Sequence, residues 1–303
     1  MNKTSALQAE LLLLLVTLFW GATFLLTKNA VEVVPPFAFT AIRFGIALVV
    51  MLVLFGGRLR ALSLKETKQG VWLGVLYGIG FSLQTIGLQY TTVARSSFIT
   101  GSLVVMVPIA YWLTERRRTT SFQKAGVLVA AAGLWIFTNP AGGEINTGDM
   151  LTFVSAMCWA LYVCYLDKTG SNVSADGAFN LTVRLVTIQF GVTFFLAMLG
   201  WLAWETFAFK LTGGIALAVL YNALFASVIA TVLQTHFQPR TTPVKAALIF
   251  ALEPIFASAI MVIATGIQLE VKEMVGGFFI IAGVLLGETG DMVFTKRTQK
   301  DIA

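Results

Sequence analysis

The two halves of this chain repeat one pattern of apolar segments. Residues 18–27 read LFWGATFLLT and residues 157–166 read MCWALYVCYL, which aligns Trp20 with Trp159. The same comparison further along pairs Arg43 with Arg184, residues 75–77 with 219–221, Pro108 with Pro254, and Gly126 with Gly276. The interval between paired positions grows from 139 (159 minus 20) to 150 (276 minus 126), as small loop insertions would cause. The sequence therefore predicts a duplicated fold, with one copy in residues 1–140 and the other in 141–303.

The composition places both copies in lipid. Hydrophobic residues make up 57% of the chain, charged residues 12%, and the mean hydropathy is +0.82, whereas about 25% of a soluble domain is charged. A membrane-spanning helix needs roughly 20 mostly apolar residues. We predict an all-α integral membrane protein with ten transmembrane helices, at residues 9–28, 36–55, 70–90, 93–114, 122–138, 149–167, 178–203, 214–236, 244–265 and 274–294.

Five spans per half invert the second copy relative to the first, which is an architecture of many secondary transporters. The apolar runs are long and continuous, and this favours helices over the short alternating strands of a membrane barrel. Loops are mostly short and no stretch of soluble length separates the halves. We therefore expect two inverted five-helix repeats in one compact bundle, with the functional site inside it.

The distribution of Lys and Arg predicts the orientation. With a cytoplasmic N-terminus, most basic loop residues fall on the cytoplasmic side, and the outer side keeps only Lys28, Arg95, Lys210 and Lys272. This asymmetry predicts that both termini are cytoplasmic in a multi-pass protein of a prokaryotic inner membrane. It also explains the pI of about 9.4 by contact with anionic lipid, without a nucleic-acid partner.

Several motifs resemble one family of carriers. FWGATF in the first span, Arg43 in the second, and VPIAYWLTERR followed by GVLVAAAGLWIF are matched in the second half by ALEPIFA and GGFFIIAGVLL. This pattern resembles the EamA-type members of the drug/metabolite transporter superfamily. The resemblance implies a ten-helix carrier, whose best-known relatives export amino acids or other small metabolites.

Three charged side chains within the spans are candidates for substrate contact. Arg43 and Arg184 would each cost about 2.5 to 3.5 kcal/mol at a helix centre, so each needs a partner. That partner is either a substrate carboxylate or a structural group of the bundle. Glu253 precedes Pro254 and combines an anionic group with a predicted helix kink. It would contact a substrate ammonium group or a coupling proton, or else pair with an Arg. Pro108 predicts a kink without the acid.

Uncharged polar residues recur in both halves. Tyr77 and Gln84 lie seven residues apart on one face of the third span, and Tyr221 and Asn222 are their counterparts in the eighth. We interpret these faces as walls of a central cavity, with interhelical hydrogen bonding as the alternative.

Small and aromatic residues complete the candidates. Ser97 begins a small-residue stripe on the fourth span, which allows close approach of either a substrate or a neighbouring helix. Trp20 and Trp159 lie too deep for the interfacial aromatic belts. Their indoles either stack on a substrate and attract its ammonium group or fill the core.

Taken as a sequence, the chain predicts a secondary transporter that exports small metabolites, with amino acids as the first expectation and a broad-specificity efflux carrier for drugs or other organic solutes as the alternative. One histidine, no acidic pair at metal-ligand spacing and no phosphate-binding loop disfavour an enzyme, a metal and a cofactor. The expected partners are a small-molecule substrate and the lipid bilayer, and the chain is either a monomer or a homodimer.

Overall fold

The structure is a computed structural model that describes residues 3–139, 144–170, 175–206, 212–266 and 268–300. Within these ranges the regular secondary structure is entirely helical. The predicted boundary between the halves, at residues 140 and 141, lies outside the described residues.

Fourteen α-helices are described, several of which are pieces of one longer span. They are α1 (Lys3–Gly21), α2 (Thr23–Val31), α3 (Pro36–Phe55), α4 (Leu64–Tyr90), α5 (Val93–Gly101), α6 (Leu103–Glu115), α7 (Ser121–Thr138), α8 (Thr147–Gly170), α9 (Ala175–Trp204), α10 (Gly213–Tyr221), α11 (Ala230–Phe237), α12 (Pro243–Phe250), α13 (Glu253–Thr265) and α14 (Val271–Lys300). Short 3-10 helices cover Gly56–Ala61 and Gln238–Arg240, and a π-helix covers Asn222–Ile229.

Nine stretches of the described chain are long and apolar enough to cross a membrane. They are Ala6–Val31, Pro36–Arg60, Leu64–Tyr90, Val93–Glu115, Ser121–Thr138, Thr147–Gly170, Gly177–Trp204, Gly213–Arg240 and Pro243–Ile263. These nine confirm the first nine predicted spans. The tenth predicted span, residues 274–294, falls within the 30-residue helix α14, which is not among the nine.

Local signals in the sequence account for where the helices begin. Ser63 and Thr120 each cap a helix through a reciprocal capping box, with Glu66 and Gln123 as the partners three residues later. Thr242 caps α12 by accepting a hydrogen bond from the Lys245 N–H. These caps satisfy backbone donors that neither lipid nor the helix itself could satisfy.

The first turn of α3 is capped from a distant part of the chain. The carboxylate of Glu205 accepts the backbone N–H of Phe37 at 2.8 Å and of Ala38 at 2.9 Å. Partial burial raises the pKa of Glu205, and these two hydrogen bonds oppose that shift. The interaction fixes the end of α9 beside the start of α3.

Helices α7 and α14 form a close antiparallel pair through glycines. A Cβ on Gly126 would lie 2.6 Å from the carbonyl oxygen of Gly283, and one on Gly283 would lie 2.6 Å from that of Gly126. Gly133 and Gly276 have the same reciprocal relation at 2.7 Å. Only glycine allows the backbones to approach this closely.

The remaining helices pack around an aromatic core. Helix α4 packs against α8 and α9, α3 packs against α9, α1 packs against α11, α12 and α13, and α6 packs against α12. Phe44, Tyr77 and Phe190 are fully buried where α3, α4 and α9 meet. Side chains therefore fill the bundle where these three helices meet.

Four spans are irregular near the middle of the bundle. The helix is interrupted at Ala22 between α1 and α2, at Ser102 between α5 and α6, and at residues 251–252 between α12 and α13. The fourth irregularity is the π-helix Asn222–Ile229 between α10 and α11. Irregular backbone at this depth occurs where it is buried in protein or lines a cavity.

The two prolines lie at different places in their helices. The fourth predicted span is interrupted at Ser102, and Pro108 lies inside α6. Helices α6 and α13 both have 13 residues and begin 150 positions apart, at Leu103 and Glu253. Pro254 lies at a helix interruption, as the second residue of α13, whereas the kink at Pro108 and its pairing with Pro254 stay predictions.

Candidate functional site

A cavity lies where the irregular segments meet. Its volume is about 60 Å³. This exceeds the roughly 10 to 15 Å³ that one water molecule needs. Its walls come from α1 to α6, α8 and α11 to α13, and the lining side chains include Trp20, Thr23, Phe24, Arg43, Phe81, Gln84, Thr100, Trp159, Val163, Gln234, Phe250 and Glu253.

Arg43 brings an almost fully buried cation to the cavity. Only 3% of the residue is exposed, and its Nε donates a 2.8 Å hydrogen bond to the Ser227 hydroxyl. The guanidinium carbon lies 4.3 Å from the centre of the Phe81 ring, within cation–π range. Its Nη2 has no hydrogen-bond acceptor among the described residues, and neither does it pair with an acid there. A buried N–H that lacks an acceptor is costly, so this group is suited to an anionic ligand.

Glu253 brings a carboxyl group to the same cavity. It is the first residue of α13, directly after the interruption that follows α12. Within the described ranges the Glu253 side chain is buried and has neither an ion pair nor a hydrogen bond. The predicted alternative, a structural ion pair with an Arg of the bundle, is therefore not formed in this structure. The cavity presents a cation and an acid that do not neutralise each other.

Aromatic rings form most of the apolar wall. Trp20 packs against Phe250 with ring centres 5.2 Å apart, and Trp159 packs edge-on against Phe81 at 4.6 Å. The indole N–H of Trp20 donates to the carbonyl oxygen of Ala226 at 3.1 Å, within the π-helix. These contacts hold the rings in place and give the cavity rigid faces on which a flat or apolar group can pack.

Two amides add polar contacts. Gln84 donates from Nε2 to the Thr100 hydroxyl at 3.0 Å. Gln234 is buried and donates to Gln238 Oε1 at 3.0 Å, but its own Oε1 has no donor in the described part of the chain. Gln234 is thus a lining residue with an unpartnered polar atom, which buried polar groups seldom have.

Five of the ten predicted cavity residues line this space: Trp20, Arg43, Gln84, Trp159 and Glu253. Tyr77 lies behind the wall, where its hydroxyl is 2.6 Å from that of Thr231 and its ring packs against Trp159. Ser97 is buried on α5 outside the lining. These two positions support the wall without reaching the cavity.

Arg184 is separated from Arg43 in the structure. Its Nη1 lies 2.8 Å from Glu66 Oε1, and its Nε donates to the carbonyl oxygen of Arg58 at 3.0 Å. Glu66 is in the first turn of α4, at the end of that span. The two arginines that align in sequence therefore differ in environment, and Arg184 has the structural partners that were the alternative expectation.

Tyr221 and Asn222 likewise form hydrogen bonds within the bundle. The Tyr221 hydroxyl donates to the carbonyl oxygen of Phe19 at 2.9 Å, and the Asn222 side chain donates to that of Ala218 at 2.9 Å. Both are placed at the start of the π-helix, outside the cavity lining. Both side chains thus form the hydrogen bonds within the bundle that were the alternative to lining a cavity.

The sequence interpretation missed several lining residues. Phe81, Phe250 and Gln234 have no distinguishing motif, because aromatic residues occur throughout these spans. Gln234 was nevertheless detectable as an amide inside an apolar run, where it needs a buried partner. The described part of the chain contains no cluster of three His, Cys, Asp or Glu side chains that could hold a metal.

The family is established by comparison with known proteins. The model of the EamA-like transporter family matches residues 7–139 and again residues 146–287. The chain belongs to the EamA-like transporter family and is a multi-pass membrane transporter.

Relatives and a solved structure agree with this assignment. An uncharacterized transporter of Archaeoglobus fulgidus is 30% identical over 280 residues, covering 92% of this chain and 85% of that protein. The uncharacterized transporter YyaM of Bacillus subtilis is 26% identical, covering 92% and 93%, and protein PagO of Salmonella typhimurium is 24% identical, covering 91% of each. A crystal structure with 19% identity superposes with a TM-score of 0.73 over 92% of this chain and 97% of that one, which shows a shared fold.

Proposed function

We propose that this protein is a secondary transporter that exports small zwitterionic metabolites, first of all amino acids, by alternating access around the central cavity. The observation that carries this proposal is the pair of Arg43 and Glu253, which line one cavity without forming an ion pair. An amino acid brings a carboxylate and an ammonium group and would satisfy both.

The two charged groups suit the two ends of such a ligand. The free Nη2 of Arg43 is a donor for a carboxylate. The carboxyl group of Glu253 is an acceptor for an ammonium group, and the nearby indoles of Trp20 and Trp159 add cation–π attraction. Burial strengthens both interactions because the cavity wall is mostly apolar.

The local geometry supports an inverted repeat. Gly126 contacts Gly283, and Gly133 contacts Gly276. An offset of 150 residues relates Gly126 to Gly276 and Gly133 to Gly283 (276 minus 126, 283 minus 133), so it exchanges the two contacts, as expected for two antiparallel copies of one helix. The family model also matches the chain twice, in residues 7–139 and 146–287. We infer ten spans in two inverted copies, divided near residue 140, with α14 as the tenth span. Rocking of one copy against the other would expose the cavity to each side in turn.

Ion clusters at helix ends support the same relation. Thr91 and Arg95 contact Asp149, and Thr241 and Lys245 contact Glu10. The threonines and the bases are each 150 residues apart, while the two acids are 139 apart. The same intervals separate the paired positions of the two halves: 150 residues lie between Gly126 and Gly276, and 139 between Trp20 and Trp159. In an inverted repeat the two clusters would lie at opposite membrane faces.

The charge asymmetry of the loops supports an orientation with both termini in the cytoplasm of a prokaryotic cell and the bundle in its inner membrane. Outward transport is inferred from the exporters that this family includes.

A broad efflux carrier for drugs or other organic solutes is the second candidate. The aromatic wall of Trp20, Phe24, Phe81, Trp159 and Phe250 favours it, because such rings accept many flat apolar groups. In that case recognition would depend little on a substrate carboxylate.

Counterflow separates the two candidates. The purified protein is reconstituted into liposomes preloaded with unlabelled amino acids, and entry of labelled amino acids is measured with and without a pH gradient. For each amino acid that exchanges, its amine without the carboxylate and its acid without the amine are tested as competitors. We expect the intact zwitterion to compete best, since it alone satisfies both charged groups.

Two results would contradict the amino-acid proposal. One is an absence of exchange for every amino acid although the protein is folded and monodisperse. The other is equal competition by amines and zwitterions, which would favour the broad carrier. The response to the pH gradient determines whether protons are coupled to transport.

A further inference from the structure

A second space lies on the outer surface of the bundle, between α1, the α12–α13 segment and α14. It is a groove with a volume of about 380 Å³. Its walls are apolar and include Leu11, Leu14, Leu252, Phe256 and Leu285, and Glu10 and Glu288 are its only charged lining residues among those described. It shares no lining residue with the central cavity.

The charged end of the groove holds two acids and one base. Lys245 Nζ lies 3.2 Å from Glu10 Oε1, 2.6 Å from Glu288 Oε2 and 3.3 Å from the carbonyl oxygen of Glu288. These three acceptors use all three N–H donors of the ammonium group. Glu288 Oε1 is buried and has no N–H or hydroxyl donor among the described residues, and the Glu288 carboxyl group lies within hydrogen-bond reach of that of Glu10. The cluster therefore has a surplus carboxylate and an unsatisfied oxygen.

The cluster around Arg95 shows what a satisfied arrangement looks like in this protein. There Asp149 Oδ1 accepts the Thr91 hydroxyl at 2.6 Å, and Oδ2 accepts the Asn146 backbone N–H at 3.0 Å and pairs with Arg95. Both oxygens of that acid have donors. The Lys245 cluster differs by the additional acid, Glu288, which borders the groove.

We propose that this groove binds a phospholipid with a primary ammonium head group, phosphatidylethanolamine, with the ammonium group at Glu288 and an acyl chain along the apolar wall. The ammonium group supplies the missing N–H donor and balances the surplus charge. A trimethylated choline head group has no N–H to donate, and an anionic head group would meet the surplus carboxylate.

The depth of the cluster fits this lipid. Glu10 is four residues from the start of its span at Ala6, and Lys245 is two residues from the start of its span at Pro243. At 1.5 Å per residue these positions are about 3 to 6 Å inside the apolar stretch, next to the head-group layer. From Ile249 to Phe256 the groove then continues about 10 Å along the helices, which matches an acyl chain that lies parallel to them.

The lipid would also contact segments that shape the cavity. Phe256 lines the groove, and its Cβ would be only 2.9 Å from a Cβ on Gly21, beside the interruption at Ala22. Glu253 lies three residues before Phe256, at the start of α13. A lipid bound in the groove would therefore affect the position of the helix ends that line the cavity.

Lipid retention tests this proposal without measuring transport. Purified, delipidated full-length protein in detergent is mixed with phosphatidylethanolamine, phosphatidylcholine or phosphatidylglycerol of identical acyl chains, and bound lipid is counted by native mass spectrometry. We expect phosphatidylethanolamine to be retained about tenfold better than phosphatidylcholine, as one charged hydrogen bond would produce.

Two variants locate the site. Glu288→Gln should make the retention of phosphatidylethanolamine and phosphatidylcholine nearly equal. Glu270→Gln, at an exposed acid, should leave the preference for phosphatidylethanolamine unchanged. Leu285→Trp places a ring over the groove from a residue that is 56% exposed and should reduce retention of phosphatidylethanolamine. Its matched control is Leu128→Trp, at a residue that is 70% exposed on α7, outside the groove lining.

Equal retention of phosphatidylethanolamine and phosphatidylcholine by the unaltered protein would overturn the proposal, and so would a preference for phosphatidylglycerol. Unchanged retention in Leu285→Trp would place the lipid elsewhere and would also overturn it. If Glu288→Gln does not fold, the tryptophan variant decides. Each of these results leaves the transport proposal standing.

Discussion

Trp20 and Arg43 both donate hydrogen bonds to adjacent residues of one π-helix. The Trp20 indole bonds to the carbonyl oxygen of Ala226 at 3.1 Å, and Arg43 Nε bonds to the Ser227 hydroxyl at 2.8 Å. π-Helical segments are rare and frequently occur at functional sites. The irregular segment therefore orients an aromatic wall and the buried cation of the cavity together.

The Ser227 hydroxyl is expected to hold Arg43 in its binding orientation. Ser227→Ala leaves Nε without an acceptor, and a buried donor without a partner costs about 1 to 3 kcal/mol. We expect a lower thermal unfolding midpoint and weaker substrate binding, measured on the same purified sample. Thr289→Ala, at an exposed hydroxyl that bonds within its own helix, is the control. A variant that binds substrate with normal affinity would show that this bond is not needed.

Glu253 is expected to act on substrate or a coupling proton rather than on folding. Glu253→Gln keeps the shape of the side chain and removes its charge. Removing one member of a buried charged contact costs about 2 to 5 kcal/mol, so we expect transport to fall about thirtyfold or more. Yield and monodispersity should stay normal, as for Glu270→Gln. A collapse in yield would instead indicate a structural role.

The two cavity tryptophans are expected to set substrate preference. Trp20→Ala and Trp159→Ala enlarge the space between the aromatic walls, so exchange of large and small substrates should change in ratio. Trp20→Phe keeps a smaller aromatic ring and loses the donor to Ala226, so its effect should fall between those of the unaltered protein and Trp20→Ala. Competition assays with substrates of graded size measure the effect. Parallel loss of yield and rate, with an unchanged ratio, would speak for a packing role alone.

The aligned arginines are expected to behave differently when replaced. Arg43→Lys loses the bond to Ser227 and the two parallel N–H donors that can bind a carboxylate, so substrate affinity should fall at least about tenfold. Arg184→Ala removes the contact with Glu66 in the first turn of α4 and should lower the unfolding midpoint while substrate affinity stays near that of the unaltered protein. Binding and thermal unfolding are measured for both. Equal effects on affinity would mean that both arginines serve the cavity.

The contact between α7 and α14 is expected to tolerate no added methyl group. In Gly133→Ala the new Cβ would lie 2.6 Å from the Ile280 nitrogen and 2.7 Å from the Gly276 oxygen. Such overpacking costs roughly 1 to 3 kcal/mol, which thermal unfolding in detergent would detect. Gly213→Ala has open space within 4 Å and serves as the control. Equal midpoints would show that the helices can separate without cost.

Much of the fold was predictable because lipid restricts the backbone. Spans such as Leu64–Tyr90 and Gly213–Arg240 follow from the length of their apolar runs, since every peptide group in lipid must be bonded internally. The motifs around FWGATF and VPIAYWLTERR were sufficient to assign the family. These features depend on local sequence alone.

The site was less predictable because it depends on helix rotation and on where helices are interrupted. Trp20 and Glu253 could be selected from their depth and charge, but Arg43 and Arg184 look alike in sequence and differ only in their neighbours. The interruption at Ser102 has no proline to indicate it. Gln234 lines the cavity together with side chains of α8 and α12, which no pattern in its own segment specifies.

The glycine contact also limits how this bundle can change shape. A screw motion of α7 by one residue, which combines a shift of about 1.5 Å with a rotation of about 100°, would bring the next residue to each contact. Val127 and Leu134 would then replace Gly126 and Gly133 at the points of closest approach, where a backbone already lies. We therefore expect α7 and α14 to move together as one rigid pair, and the proposed opening of the cavity to arise in the interrupted spans.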